Sequence, residues 1–151
     1  AFLLLQGLET LSLRMERHWS NAHAVGEFLD KHPQVESVNY AGLPNNQYHK
    51  LAQHYMNGKA SGLMTFGVKS SSGSGREAGA RFLDALNLFT RLVNIGDAKS
   101  LATHPASTTH RQLSPAELEK SGVTEDTVRL CVGIEHIDDI MADLSQALNM
   151  V

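Results

Sequence analysis

Apolar residues recur at three- and four-residue steps through the start of the chain: Leu4, Leu8, Leu11, Met15, His18 or Trp19, Ala22, Val25 and Leu29. That spacing is the period of one helix face. Arg14, Glu16, Arg17, Glu27 and Asp30 fall mostly off the stripe, and Pro33 stops it. A single helix over residues 1–31 is expected, roughly 45 Å long at about 1.5 Å per residue. The whole chain has 151 residues, enough for one domain with a real core. Such a helix is longer than that domain is wide, so it is expected to bridge to something outside the chain. The chain also begins without methionine and inside a helical pattern, which points to a piece of a longer protein.

Shorter elements follow. Val35–Tyr40 reads as a strand and Ala41–Asn46 as a turn-rich link. Gln47–Asn57 reads as a polar helix ended by Gly58. Gly62–Val68 alternates like a half-buried strand. Ser70–Gly75 is a loop, and Arg76–Leu88 a helix whose apolar stripe is Phe82, Leu83, Leu86 and Phe89. Leu92–Ile95 and Ser100–His104 are strand candidates. Ser114, Pro115 and Glu117 have the N-cap, first-position and capping-box chemistry of a helix start that ends near Gly122. Thr127–Val132 is the last strand. Ile137, Ile140, Met141, Leu144 and Leu148 mark a final helix, with Asp138 and Asp139 at its positive end. Helices and irregularly spaced strands are mixed without a repeat, which predicts an α+β layer: a small, mostly antiparallel sheet covered by helices.

A formal net charge of −3 leaves no basic field for nucleic acid. No apolar run approaches the ~20 residues of a membrane span, and no signal peptide is visible. The single cysteine, Cys131, excludes an internal disulfide and a CxxC metal site. It reads as a buried structural thiol. The histidines fall in no HExxH pattern, and no metal site is expected. Gly73-Ser-Gly75-Arg-Glu-Ala-Gly79 superficially resembles a dinucleotide-binding loop. Its spacing is one residue too long and no acidic strand end follows, so a surface loop is expected.

Arg129 is the sharpest single residue. It sits in the apolar run Val128-Arg129-Leu130-Cys131-Val132, where a permanently charged fork needs an anionic partner. Two readings stand: a salt bridge to Glu125, Asp126 or Glu135, or a bidentate clamp on a ligand carboxylate.

Several motifs stand in order along the chain. Gln6-Gly7-Leu8-Glu9-Thr10-Leu11 with Arg14, His18, Asn21 and Ala22 opens it. Val35-Glu36-Ser37-Val38-Asn39-Tyr40 precedes Gly42-Leu43-Pro44. Thr103-His104-Pro105-Ala106-Ser107 and Arg129-Leu130-Cys131-Val132-Gly133-Ile134-Glu135 close the series. In that order and spacing the chain resembles the C-terminal domain of the Cys/Met-metabolism family of pyridoxal-phosphate enzymes. The family includes cystathionine synthases and lyases, methionine γ-lyase and homoserine-ester sulfhydrylases. The resemblance implies the small-domain fold of the aspartate-aminotransferase-like, fold-type I enzymes. It implies that residues 1–151 are one C-terminal substrate-binding domain and that the N-terminal cofactor domain lies outside the chain. Arg129 would bind the substrate α-carboxylate, Asn94 and Ile95 would line the same pocket, and Thr109 would lie in its neighbourhood. Ser100 and His104 would be structural.

Asn94-Ile95-Gly96-Asp97-Ala98-Lys99-Ser100-Leu101 most resembles the O-acetylhomoserine sulfhydrylase branch, since the lyases compared carry serine where Asn94 stands. The implied chemistry is replacement of acetate on the γ-carbon by sulfide or a thiol, giving homocysteine or methionine. Pyridoxal phosphate and a cofactor lysine would be needed. None of Lys31, Lys50, Lys59, Lys69, Lys99 and Lys120 stands in the family's Ser-x-Thr-Lys context. The piece alone is therefore expected neither to hold the cofactor nor to catalyse. The partners implied are O-acetylhomoserine, the N-terminal domain and further copies in a cytoplasmic tetramer, with no nucleic acid or membrane. A methionine γ-lyase or cystathionine γ-synthase is the alternative reaction; a non-catalytic binding or assembly domain is the alternative class.

Overall fold

The strand Thr127–Cys131 carries the most alternating stretch of the late chain, and it lies at the centre of the sheet. In the computed structural model, which describes residues 1–70 and 73–151, the elements run in this order. Helices α1 (Phe2–Glu9) and α2 (Leu11–Asp30) precede β1 (Val35–Asn39), α3 (His49–Met56), β2 (Leu63–Val68) and α4 (Gly75–Ala85). Then come β3 (Thr90–Arg91), β4 (Leu101–Thr103), a 3-10 turn at Pro105–Ser107, α5 (Pro115–Lys120), β5 (Thr127–Cys131) and α6 (Ile137–Leu148). The strands form one sheet in the order β1-β2-β5-β4-β3, with only the β3–β4 pair parallel. The α+β layer read from the sequence is the architecture found.

Alternation divides the sheet into two faces. Met64, Phe66 and Val68 of β2, Ala102 of β4 and Val128 and Leu130 of β5 join the core with Ala22, Val25 and Leu29 of α2, Phe82 of α4 and Leu144 of α6. Thr65 and Thr103 lie opposite Arg129 in register, on the other face. Phe66 and Phe82 meet edge to face at 5.4 Å between centroids, a favoured aromatic geometry.

Four expectations need correction. The first helix is broken at Thr10 (φ −107°, ψ 4°). Arg14 stabilises the break: its guanidinium donates to Gly7 O at 2.6 Å and to Thr10 Oγ1 at 3.3 Å. A continuous helix would bond that carbonyl to a backbone N–H four residues on. The apolar stripe buries only from His18 onward, whereas Leu4 and Leu8 stay exposed. Second, α4 ends at Ala85 rather than Leu88, because the Asp143 carboxylate of α6 accepts the N–H groups of Asn87, Leu88 and Phe89 at 2.8–3.2 Å. Third, Leu92–Ile95 is not a strand. The Asn94 and Asp97 side chains accept the Ile95 and Lys99 N–H groups, local bonds that compete with a ladder, and Gly96 turns the chain at φ 76°. Fourth, within the serine-rich loop expected over residues 70–75, Ser71 and Ser72 lie outside the described residues, while Gly75 already begins α4.

The remaining boundaries agree with the periodicity to within about two residues, the ordinary scatter of helix and strand ends. The capping box of Ser114 and Glu117 is formed. Gly79 of α4 faces the His104 ring so closely that a Cβ there would collide with it. That glycine serves close helix packing, not a phosphate. Gly79→Ala is therefore expected to lower stability by roughly 1–3 kcal/mol, an overpacking cost, read as a lower midpoint in urea denaturation. An unchanged midpoint would show that the ring can move aside.

Candidate functional site

Arg129 projects from the centre of β5 on the face away from the main core. A cavity of about 480 Å³ opens there, lined by Arg129, Thr65, Thr103, Val93, Thr109 and Asn39 among others. Residues of the Pro105–His110 and Gly122–Val123 segments roof it. Arg129 is half-buried. Among the described residues it takes part in no ion pair. Two of the acids that could have neutralised it are engaged elsewhere. Glu125 accepts Arg76 Nε at 3.1 Å, and Glu135 accepts the Ser100 N–H at 2.7 Å and its Oγ–H at 2.9 Å. A planar five-donor fork facing a partly enclosed cavity is shaped for a carboxylate.

The sequence-derived site residues divide into two places. Arg129 and Thr109 line one cavity. Asn94 and Ile95 do not line it. Asn94 is exposed and donates from Nδ2 to Asp97 Oδ2 at 3.3 Å. Ile95 is 70% exposed and borders a neighbouring cavity with Cys131 and Leu63. Their neighbour Val93 does reach the Arg129 cavity. Backbone N–H of Lys99 and the Asn94 amide hold the Asp97 carboxyl below its usual range.

The loop bearing these residues is pinned by a polar latch. Ser100 Oγ donates to Glu135 and accepts the Gly133 N–H at 2.8 Å. Asn21 Nδ2 donates to the carbonyls of Gly133 and Glu135, both at 3.0 Å, and Ile134 N–H donates to Ala98 O at 2.9 Å. A side chain at Gly133 would strike Glu135 and the backbone at Ala98 and Lys99. The end of β5, the start of β4 and α2 are thereby locked together beside Arg129.

His104 is fully buried. Its Nε2–H donates to Glu125 O at 2.7 Å, so Nδ1 is bare and accepts Ser107 Oγ–H at 2.8 Å. Burial, ahead of the neighbouring groups, pulls its pKa below the ordinary 6.5. It is a satisfied structural histidine that anchors the roof of the cavity, as expected for it, and Ser100 has the same character. His110, also on that roof, is hydrogen-bonded to Thr109 at 2.8 Å.

Sequence reasoning passed over Thr65, Thr103 and Val93 as cavity-lining positions. The first was legible: in Leu63-Met64-Thr65-Phe66-Gly67 the odd positions face away from the core. Its alignment with Arg129 was not, because strand register is set by contacts distant in sequence.

The chain matches the model of the Cys/Met metabolism PLP-dependent enzyme family over residues 1–149. It is 51% identical to an O-acetyl-L-homoserine sulfhydrylase of Leptospira meyeri, covering 100% of this chain and 34% of that protein. It is 47% identical to an L-methionine gamma-lyase of Pseudomonas putida, covering 98% and 36%. Among solved structures, one described as an O-acetylhomoserine (thiol)-lyase of Campylobacter jejuni, with N′-pyridoxyl-lysine-5′-monophosphate, superposes with a TM-score of 0.87 at 49% identity. It covers 97% of this chain and 34% of that one. The chain thus spans about a third of the length of the relatives it matches.

Two outcomes test the site's supports. Glu135→Ala is expected to raise hydrogen exchange at residues 94–100 by about tenfold, the loss of one or two charge-assisted bonds; unchanged exchange would mean that the latch does not hold the loop. His104 is bound in its neutral form, so its share of stability is complete above pH 6.5 and is lost as pH falls through the lower folded value. Denaturation midpoints of wild type should decline over that window, and His104→Gln, which cannot titrate, should flatten the decline.

Proposed function

The chain belongs to the Cys/Met metabolism family of pyridoxal-phosphate-dependent enzymes, and on that premise we propose that it is the carboxylate-binding portion of an O-acetylhomoserine sulfhydrylase. The observation that carries this reading is Arg129: a guanidinium at the centre of the sheet, facing a cavity, with no ion pair among the described residues. Its fork would take both oxygens of the substrate α-carboxylate. Thr65 and Thr103 flank it in register. Thr103 Oγ1 donates to Leu92 O at 3.2 Å and so fixes the cavity wall.

The net reaction breaks the Cγ–O bond of O-acetylhomoserine, releases acetate and forms a Cγ–S bond to sulfide or a thiol. Bound pyridoxal phosphate supplies the electron sink for such chemistry. The residues of this chain do not by themselves fit that group. None of the six lysines lines the Arg129 cavity: Lys59 pairs with Glu16, and Lys69 donates to Pro33 O. The cofactor and its lysine are therefore assigned to polypeptide outside residues 1–151, and residues 1–151 to a C-terminal substrate-binding domain that is inactive alone. This chain's part is to bind and orient the carboxylate, with Thr109 lining the same cavity and Ile95 bordering the neighbouring one. A cytoplasmic homotetramer is the assembly proposed. No helix among the described residues is long and apolar enough to cross a membrane.

A γ-lyase is the second reading, supported by the 47% identity to a methionine gamma-lyase. Assaying the intact protein with O-acetylhomoserine plus sulfide, against methionine alone, separates the two. In the active intact protein, Arg129→Ala should lower kcat/KM for the amino acid by about 100-fold or more, as loss of a charge-assisted bidentate contact implies. The thermal midpoint should barely move, because no internal ion pair is lost. Unchanged kcat/KM, or global unfolding, would rule out the clamp.

A further inference from the structure

A second cavity, of about 270 Å³, lies where α2 passes the start of β2. Leu11, Met15, His18, Leu63, Ile95 and Cys131 line it, and Arg14 borders it. His18 is 1% exposed. Its Nδ1 lies 2.6 Å from Val132 O. A carbonyl only accepts, so Nδ1 carries a proton, and in the neutral ring Nε2 is then a bare acceptor. That Nε2 is buried and has no hydrogen-bond partner among the described residues. Native structures rarely leave such a group unpaired, and the desolvation penalty is substantial.

The cavity continues into an uncovered apolar surface. Helix α1 buries none of its residues. Phe2, Leu3, Leu4, Leu5 and Leu8 are 60–81% exposed, and Leu11 and Met15 lead from them to His18 at 38% and 41%. An apolar patch of this extent marks a contact surface. Arg14 points part of its guanidinium back along the helix, donating from Nε to Thr10 Oγ1 and from Nη2 to Gly7 O. The lining of Leu11, Met15, Leu63, Ile95 and Cys131 fits a mostly apolar occupant with one donor for His18. The relatives supply about twice as much polypeptide as this chain covers, since it spans 34% of the matched structure.

We propose that an apolar segment of the same polypeptide, from outside residues 1–151, covers α1 and fills this socket, donating an N–H or O–H to His18 Nε2. The proposal rests on the reading of the chain as part of a longer enzyme. It makes His18 the polar key of an otherwise apolar junction, supplying register where hydrophobic contact alone is non-directional. His18 thereby ties the junction to Val132, three residues beyond Arg129.

The test uses the intact protein. A photoreactive phenylalanine analogue at Leu8 or Met15 is irradiated and the cross-linked peptides are mapped. Mixing isotopically heavy and light protein separates links within a copy from links between copies. Within-copy links to polypeptide outside residues 1–151 are expected. Links between copies, links confined to residues 1–151, or none would overturn the proposal. His18→Asn keeps a donor toward Val132 O and removes the outward acceptor; His18→Gln keeps an acceptor near the Nε2 position. The Asn variant should raise hydrogen exchange at residues 2–15 by about tenfold, and the Gln variant should restore most of the protection. Equal exchange in wild type and both variants would mean that Nε2 meets only solvent. Absence of sulfhydrylase activity alongside the expected links would sink the proposed reaction and leave the socket standing.

Discussion

The position of β5 between β2 and β4 governs the rest of this molecule. Five consecutive residues of β5 pair with β2, and three of them also pair with β4. Because side chains alternate, one register decision sends Val128 and Leu130 into the core and Arg129 to the opposite face. A slip by one residue would bury the guanidinium and expose both aliphatics, which the core cannot tolerate. The charge is thus aimed by hydrophobic burial on the other side of the same strand. No acid is needed next to it to hold it in place, and among the described residues it forms no ion pair.

Around that strand, polar groups do the fastening that a small sheet cannot do by packing alone. Asp143 gathers three backbone N–H groups and fixes the path from α4 into β3. Glu135 and Ser100 close the far end of β5 against the start of β4. His104 ties the cavity roof to the loop before β5. Each of these groups is buried or half-buried with its partners present, so each adds direction to an otherwise non-directional core. The carboxylates spent this way are also unavailable to Arg129.

Much of the fold was legible in periodicity. The α6 stripe, the capping box at Ser114 and the alternation of β2 and β5 are local signals, and they were read correctly. Legibility failed where distant groups decided the outcome. Nothing near Leu86 announces that Asp143 will take the amides that a longer α4 would have used. Nothing in Leu92-Val93-Asn94-Ile95 reveals that Asn94 and Asp97 will bend the chain off the sheet. The stripe from Leu4 to Leu29 is continuous in sequence, yet Arg14 stabilises a break within it. Of the site, Arg129 stood out as a lone charge among apolar residues, and its place on a cavity follows from the alternation of β5. The separation of Asn94 and Ile95 from the Arg129 cavity depended on a loop path that no spacing rule encodes.

The central strand is also the last of the five in chain order. During vectorial synthesis β1 and β2 can pair early, but the inner edge of β2 and the inner edge of β4 stay open until residues 127–131 emerge. Sheet closure then joins segments some sixty residues apart, a slow kind of contact to form. Until that moment two strand edges and the apolar face of β2 are presented to whatever else is nearby. The arrangement that aims Arg129 so firmly in the finished molecule leaves both inner edges uncovered until β5 arrives.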